Sequence, residues 1–219
     1  MKKLYGAIFD LDGTLLDTMY IWSHLCPEFL RRHDIEFDGD INELVAVMSV
    51  RHAVKFMISK FALPVSPEEA QAELFAILDD YYRQQAFPKP GAVKFLKALQ
   101  ERKVKTVILS ATPARQLETA LRACGLEQLF THAPISCHST GVSKQHPEAF
   151  LNAAAILQLP PDEVMVFEDA WYAGSTAKAA GFPLCAIYDQ TNPRPEELRS
   201  LADCSVESSW DEFPLERFF

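Results

Sequence analysis

Two aspartates stand two residues apart in the string Asp10-Leu11-Asp12-Gly13-Thr14, directly after an apolar run. If the backbone stays extended there, both carboxylates point to one face. Like charges so close are costly unless a cation lies near them. Three further groups recur in similar settings. Ser110 follows Val107-Ile108-Leu109, Lys144 lies in the polar loop Gly141-Val142-Ser143-Lys144-Gln145-His146-Pro147, and Glu168-Asp169 follow Val164-Met165-Val166-Phe167. Taken singly, each has an ordinary explanation. Asp and Gly are common where a strand turns, an exposed lysine is solvated, and an acid at a helix start complements the helix dipole. Ser110 alone would read as a helix cap. Thr112, however, is placed to cap a helix with Pro113 at its first position, which leaves Ser110 free to donate to an anion.

The elements that must position these groups follow from hydrophobic patterning. Short apolar runs predict buried strands over Leu4–Phe9, Lys105–Leu109, Ala133–Ser136, Glu163–Phe167 and Leu184–Tyr188. Helical patterns separate most of them. Gly91–Gln100 repeats Val93, Leu96 and Leu99, the helix after Thr112 stops at Gly125, another begins at Pro147, and Trp171–Ala180 ends at Gly181. Strands alternating with helices imply an α/β fold with a parallel, doubly wound sheet. Such sheets bind ligands beyond the carboxyl ends of their strands. Asp10, Ser110 and Asp169 all fall at or just past such ends.

Residues from about Thr18 to Gln85 break the alternation. Four amphipathic helices follow one another, Met19–Arg31, Ile41–Val47, Val50–Phe61 and Pro67–Gln84, with no strand between. An inserted all-helical cap over residues 18–87 is expected, leaving 1–17 and 88–219 as the α/β core. Phe87-Pro88-Lys89-Pro90-Gly91 is stiff and turn-forming, suited to the return hinge.

In this order the motifs resemble the haloacid dehalogenase-like hydrolases, in particular the helical-cap phosphatases and the beta-phosphoglucomutase-like group. The resemblance rests on Asp10-x-Asp12-Gly13-Thr14-Leu15-x-Asp17-Thr18, Ser110, Lys144 with Pro147-x-x-Phe150, and Val166-Phe167-Glu168-Asp169 running on to Ala180-Gly181. Lys89-Pro90-Gly91 and Leu121-x-x-x-Gly125-Leu126 extend it over essentially the whole chain. One departure concerns helix packing: relatives often carry glycine at the position of Ala173, whereas here the glycine is Gly174.

The resemblance implies a Rossmann-like core and a phosphoric monoester hydrolase that works through an aspartyl-phosphate. Asp10 would be the nucleophile and Asp12 the general acid and base. Leu11, Asp12, Ser110, Ala111 and Lys144 would hold the phosphoryl oxygens. Mg²⁺, a hard cation, would take Asp10, Asp12 through its backbone carbonyl, and Asp169, with Glu168 reached through water. The substrate would be a small phosphorylated metabolite, chosen by the cap. The stretch Met48-Ser49-Val50-Arg51-His52 is the candidate for that choice, with Arg51 able to clamp a second anionic group.

Rival chemistries differ in what they require. A carbon–halogen hydrolase has no use for Asp12. A phosphonate-cleaving relative needs a cap lysine, and nothing marks Lys55 or Lys60 as unusual. A hexose-phosphate mutase of the beta-phosphoglucomutase kind carries a histidine where this chain has Trp22, and His24 would lie on another helix face. A non-catalytic binding module would be expected to have lost one of the key acids or the lysine.

Composition agrees with an enzyme of this sort. The 219 residues are 48% hydrophobic and 23% charged, and the net charge of -9 argues against a nucleic-acid partner. The five cysteines form no C-x-x-C pair, as expected of reduced thiols in a cytoplasmic protein. No apolar run is long enough for a membrane span. A monomer is expected.

Overall fold

The computed structural model describes residues 3–45, 48 and 50–219. Six strands form one sheet: β1 (Gly6–Phe9), β2 (Lys105–Ser110), β3 (Ile135–Ser136), β4 (Val164–Glu168), β5 (Leu184–Ile187) and β6 (Cys204–Val206). Their order is β3-β2-β1-β4-β5-β6, and every neighbouring pair is parallel. All residues of β1, β4 and β5 are buried. A sheet covered on both faces requires such unbroken apolar runs.

Among the described residues the helices are, in chain order, α1 (Met19–Arg32), α2 (Ile41–Val45), α3 (Val50–Phe61), α4 (Pro67–Gln85), α5 (Ala92–Glu101), α6 (Ala114–Ala123), α7 (Cys137–Thr140), α8 (Pro147–Leu157), α9 (Trp171–Ala179), α10 (Pro195–Leu201) and α11 (Leu215–Phe218). None is long and apolar enough to cross a membrane. The strand period of two sends alternate residues of β1 to opposite faces. Ile8 joins Val107, Val166, Phe150, Ala153 and Ala177 in a core under α8 and α9. Phe9 stacks on Phe167 with centroids 4.6 Å apart, and Phe95 of α5 and Trp210 pack edge-on or tilted around that pair. Helices on both faces make the sheet doubly wound.

Contacts divide the chain into two compact units, one of the residues up to Asp17 with Ala86–Phe219, the other Thr18–Gln85. The two strands of chain that join them lie side by side within the first unit. Asp17 N–H donates to the Phe87 carbonyl at 3.1 Å, and Lys89 N–H donates to that of Leu15 at 2.8 Å. Helices are the only regular secondary structure among the described residues of the second unit, where Leu25, Phe29, Val54, Met57, Leu74, Leu78 and Tyr82 are buried. Its α1 contains Pro27, whose missing amide would have bonded the carbonyl of Ser23. Asn42 Nδ2 donates to that carbonyl instead, at 2.7 Å. Ala46, Val47 and Ser49, included in the expected second helix and in the loop before Arg51, lie outside the described residues.

The structure corrects several boundaries. The first strand begins at Gly6, not Leu4, because the amides of Leu4 and Tyr5 are taken by Phe218 and Glu163. β3 is only Ile135–Ser136. The sixth strand has no counterpart in the sequence reading, since Cys204-Ser205-Val206 is short and half polar. The helix after β2 starts at Ala114 with Pro113 in the cap position, so Thr112 does not cap it. Gly174 has a packing reason: a Cβ there would meet Leu198 Cδ1 of α10 at 2.4 Å, while Ala173 is fully buried next to it.

Candidate active site

The sheet order reverses beside β1, where the chain leaves β3 on one side and returns as β4 on the other, the place where open α/β sheets bind ligands. Phe9 lies opposite both Ile108 and Phe167, so Asp10 emerges level with Leu109 and Glu168. Beyond Asp10 the backbone curls. Leu15 and Leu16 N–H both donate to the Leu11 carbonyl, and Gly13 takes φ +81, which an L side chain rarely adopts. The curl holds Asp10, Leu11 and Asp12 at the strand end, all three buried.

Lys144 closes the site from the third side. Gly141, at φ +73, ends α7, and an extended His146 with Pro147 starts α8. The loop between them turns the lysine inward, where it is only 3% exposed. Its Nζ sits 2.7 Å from Asp10 Oδ1 and also pairs with Glu168 Oε1. Asp169, also buried, accepts from Thr14 Oγ1 at 2.7 Å, and its backbone carbonyl accepts from Asn192 Nδ2 at 2.6 Å. Ala170 N–H donates to Glu168 Oε2 at 3.2 Å, so both Glu168 oxygens are engaged.

Oxygen atoms of Asp10, Glu168 and Asp169 lie within 4.8 Å of one another. Among the described residues one ammonium, Lys144, pairs with two of these buried carboxylates, and the imbalance appears in the proton affinities of Glu168 and Asp169. Burial pushes Glu168 up to about 7 despite Lys144. Burial, followed by the charges of Asp10 and Glu168, holds Asp169 well above the usual carboxylate range. Burial alone would pull the Lys144 ammonium down, but Asp10 and Glu168 outweigh it and hold the group well above its ordinary value. A pocket with surplus negative charge and only oxygen donors fits a hard divalent cation.

Asp12 and Ser110 join through a residue that sequence reasoning had assigned elsewhere. Thr112 Oγ1 donates to Asp12 Oδ2 at 2.6 Å, and Thr112 N–H donates to Ser110 Oγ at 3.1 Å. The expected helix cap is thus a bridge between two candidate site residues, and Ser110 already accepts one hydrogen bond. Ala111 is exposed beside them. Arg51 belongs to the helical unit, exposed in the first turn of α3. There it lines a depression of about 310 Å³ with Lys55, Glu68, Gln71 and Phe75. Sequence reasoning gave no role to Thr14 or Asn192. Thr14 stood inside the quoted motif. Asn192 followed a strand end in a turn-rich stretch, which was the one available signal.

A family model described as haloacid dehalogenase-like hydrolase matches residues 6–181. The chain belongs to the haloacid dehalogenase-like hydrolases. Among curated relatives, it is 28% identical to a Drosophila melanogaster protein named "Probable pseudouridine-5'-phosphatase", with 94% of each chain covered. It is 29% identical to the validoxylamine A 7'-phosphate phosphatase of Streptomyces hygroscopicus subsp. limoneus, over 80% of this chain and 81% of that one. Among solved structures, CbbY from Rhodobacter sphaeroides in complex with phosphate superposes with a TM-score of 0.78 at 17% identity, covering 96% of both chains. The expectation of a phosphoric monoester hydrolase is met by the family match and by the phosphatase names of these relatives.

Proposed function

We propose that this haloacid dehalogenase-like hydrolase is a Mg²⁺-dependent phosphatase that removes phosphate from a small phosphorylated metabolite through an aspartyl-phosphate on Asp10. The observation that carries the reading is the buried pairing of Asp10 with Lys144, 2.7 Å apart, at the sheet's reversal point beside Glu168 and Asp169. An ammonium there holds Asp10 in orientation through Oδ1, leaving its second oxygen to attack.

In the first step, Asp10 forms a bond to phosphorus as the ester P–O bond breaks. Asp12 gives its proton to the departing oxygen, which leaves as an alcohol. In the second step, water attacks the aspartyl-phosphate and passes a proton to Asp12, and inorganic phosphate leaves Asp10 as it was. Lys144, Ser110, the amides of Leu11 and Asp12 after Asp10, and that of Ala111 after Ser110 would hold the phosphoryl oxygens. The Asp10 carboxylate, the Asp12 backbone carbonyl and Asp169 would hold Mg²⁺, with Glu168 reached through water. When bound, the ion supplies charge neutralisation between an anionic nucleophile and an anionic phosphate.

Relatives named for pseudouridine 5'-phosphate, validoxylamine A 7'-phosphate and phosphorylated carbohydrates support a sugar-like phosphate monoester as substrate class. In this reading residues 18–87 act as a cap that selects the substrate, with Arg51 as its anion-binding residue. Five free thiols suit a reducing, cytoplasmic setting, and we take the enzyme to be a monomer. The test is turnover of p-nitrophenyl phosphate with Mg²⁺ and with excess chelator, in the wild type and in Asp10→Asn. Activity that survives either the chelator or the substitution overturns the reading.

A further inference from the structure

We infer that Thr112 is a positioning residue for the acid–base step: its hydroxyl orients the Asp12 carboxyl through Oδ2. The inference rests on the assignment of Asp12 as general acid and base made above. Thr112 is 1% exposed and is held at three points. Its hydroxyl donates to Asp12 Oδ2 at 2.6 Å, its amide donates to Ser110 Oγ at 3.1 Å, and its carbonyl accepts from Ser136 Oγ at 2.7 Å. Ser136 is itself anchored, buried at the end of β3 and capping α7 through the Ser139 amide.

A carboxyl group that donates a proton must present it from one particular oxygen, within hydrogen-bond reach of the leaving group. A donor on Oδ2 from a rigid neighbour limits how the Asp12 carboxyl can turn. The carboxyl plane is fixed as well, because a β-branched threonine held through its backbone has little rotamer freedom. The same residue sets Ser110 through its amide. A single turn between β2 and α6 thereby keeps the proton donor and a phosphate-binding hydroxyl in one frame. This explains why Thr112 is not used as a helix cap, leaving Pro113, which offers no side-chain acceptor, at that position.

The reading separates from a merely structural role by its dependence on the leaving group. Proton donation matters most when the departing oxygen is strongly basic and little when it is not. Full-length Thr112→Val, Thr112→Ser and Asp12→Asn proteins, with Mg²⁺, are compared on aryl phosphates from dinitrophenyl to phenyl phosphate. Thr112→Val is expected to lower kcat about tenfold on phenyl phosphate, with little loss on dinitrophenyl phosphate and little change in KM on either. Thr112→Ser should restore most of the loss.

Ser136→Ala, which loosens the anchor but leaves the hydroxyl, should show the same tilt in smaller measure. It also carries the test if Thr112→Val fails to fold. Equal losses on all leaving groups, no recovery in Thr112→Ser, or a flat Ser136→Ala series beside a non-folding valine variant each overturn the inference. Asp12→Asn tells the two levels apart. A steep series there with a flat Thr112→Val series removes only the role of Thr112. A flat Asp12→Asn series removes the acid–base assignment, and this inference with it.

Discussion

Lys144 Nζ lies 2.7 Å from Asp10 Oδ1, with both side chains buried and Glu168 on the lysine's other side. The lysine therefore does for the protein alone part of what a cation would do for the loaded site. It offsets one of three carboxylates and leaves the rest of the charge uncompensated. Without metal, that surplus is a stability cost that varies with pH.

Glu168 makes this cost measurable. Its folded-state value of about 7 stands above its ordinary 4.5, so the folded chain binds this proton more tightly than the unfolded chain. Stability from this group is complete below about 4.5 and is lost as pH rises through about 7. In chelator, Glu168→Gln should gain on the wild type across that window by about 3 kcal/mol, read from urea unfolding at a series of pH values. Added Mg²⁺ should flatten the difference. A constant difference in chelator would mean that Glu168 ionises as it does in water.

Asn192 supports Asp169 from a distant loop, donating to its backbone carbonyl at 2.6 Å. Groups that orient a metal ligand typically contribute about tenfold or more to metal affinity. Asn192→Ala should weaken Mg²⁺ binding by about that factor in titration calorimetry. An unchanged affinity would show that Thr14 holds Asp169 unaided.

Arg51, exposed on α3, is expected to recognise a second anionic group on the substrate. Arg51→Ala should raise KM about tenfold for phosphate esters bearing a carboxylate or second phosphate, and leave p-nitrophenyl phosphate unaffected. Equal effects on the two kinds of substrate would return Arg51 to an ordinary surface role.

Gly174 permits α9 and α10 to touch. A Cβ at that position would lie 2.4 Å from Leu198 Cδ1, and Leu198 is fully buried. Gly174→Ala should cost about 1–3 kcal/mol in thermal or urea unfolding. Leu198→Ala in the same protein should recover part of that loss, a non-additivity that marks direct contact.

The parts of the site legible in the sequence were those whose residue types sit at strand ends in a fixed order. Asp10, Asp12, Ser110, Glu168 and Asp169 could be nominated because apolar runs announced the strands before them, and Lys144 only through the family resemblance. What remained hidden was set by tertiary contact. Lys144 looked like a solvated loop residue, and only the turn between Gly141 and Pro147 buries it. Thr112 looked like a cap because local rules for a threonine before a proline carry no knowledge of Asp12, a hundred residues away in sequence. Asn192 and β6 were missed for a related reason. Their roles depend on neighbours from other segments, and their own sequences are short and polar.

The paired crossings between the two units carry a different consequence. Asp17 and Phe87 are bonded to each other, as are Leu15 and Lys89, and Lys89 Nζ is further fastened to Asp189 and to the Tyr188 carbonyl. The core thus seals its own border with residues that lie outside the insertion. Chain length between two sealed points enters the free energy only logarithmically, so replacing Thr18–Gln85 by a short turn alters loop closure by about 2–3 kcal/mol. The helical segment is in that sense a removable cassette. A change in its length or sequence leaves the bonded border at Leu15–Lys89 and Asp17–Phe87 in place.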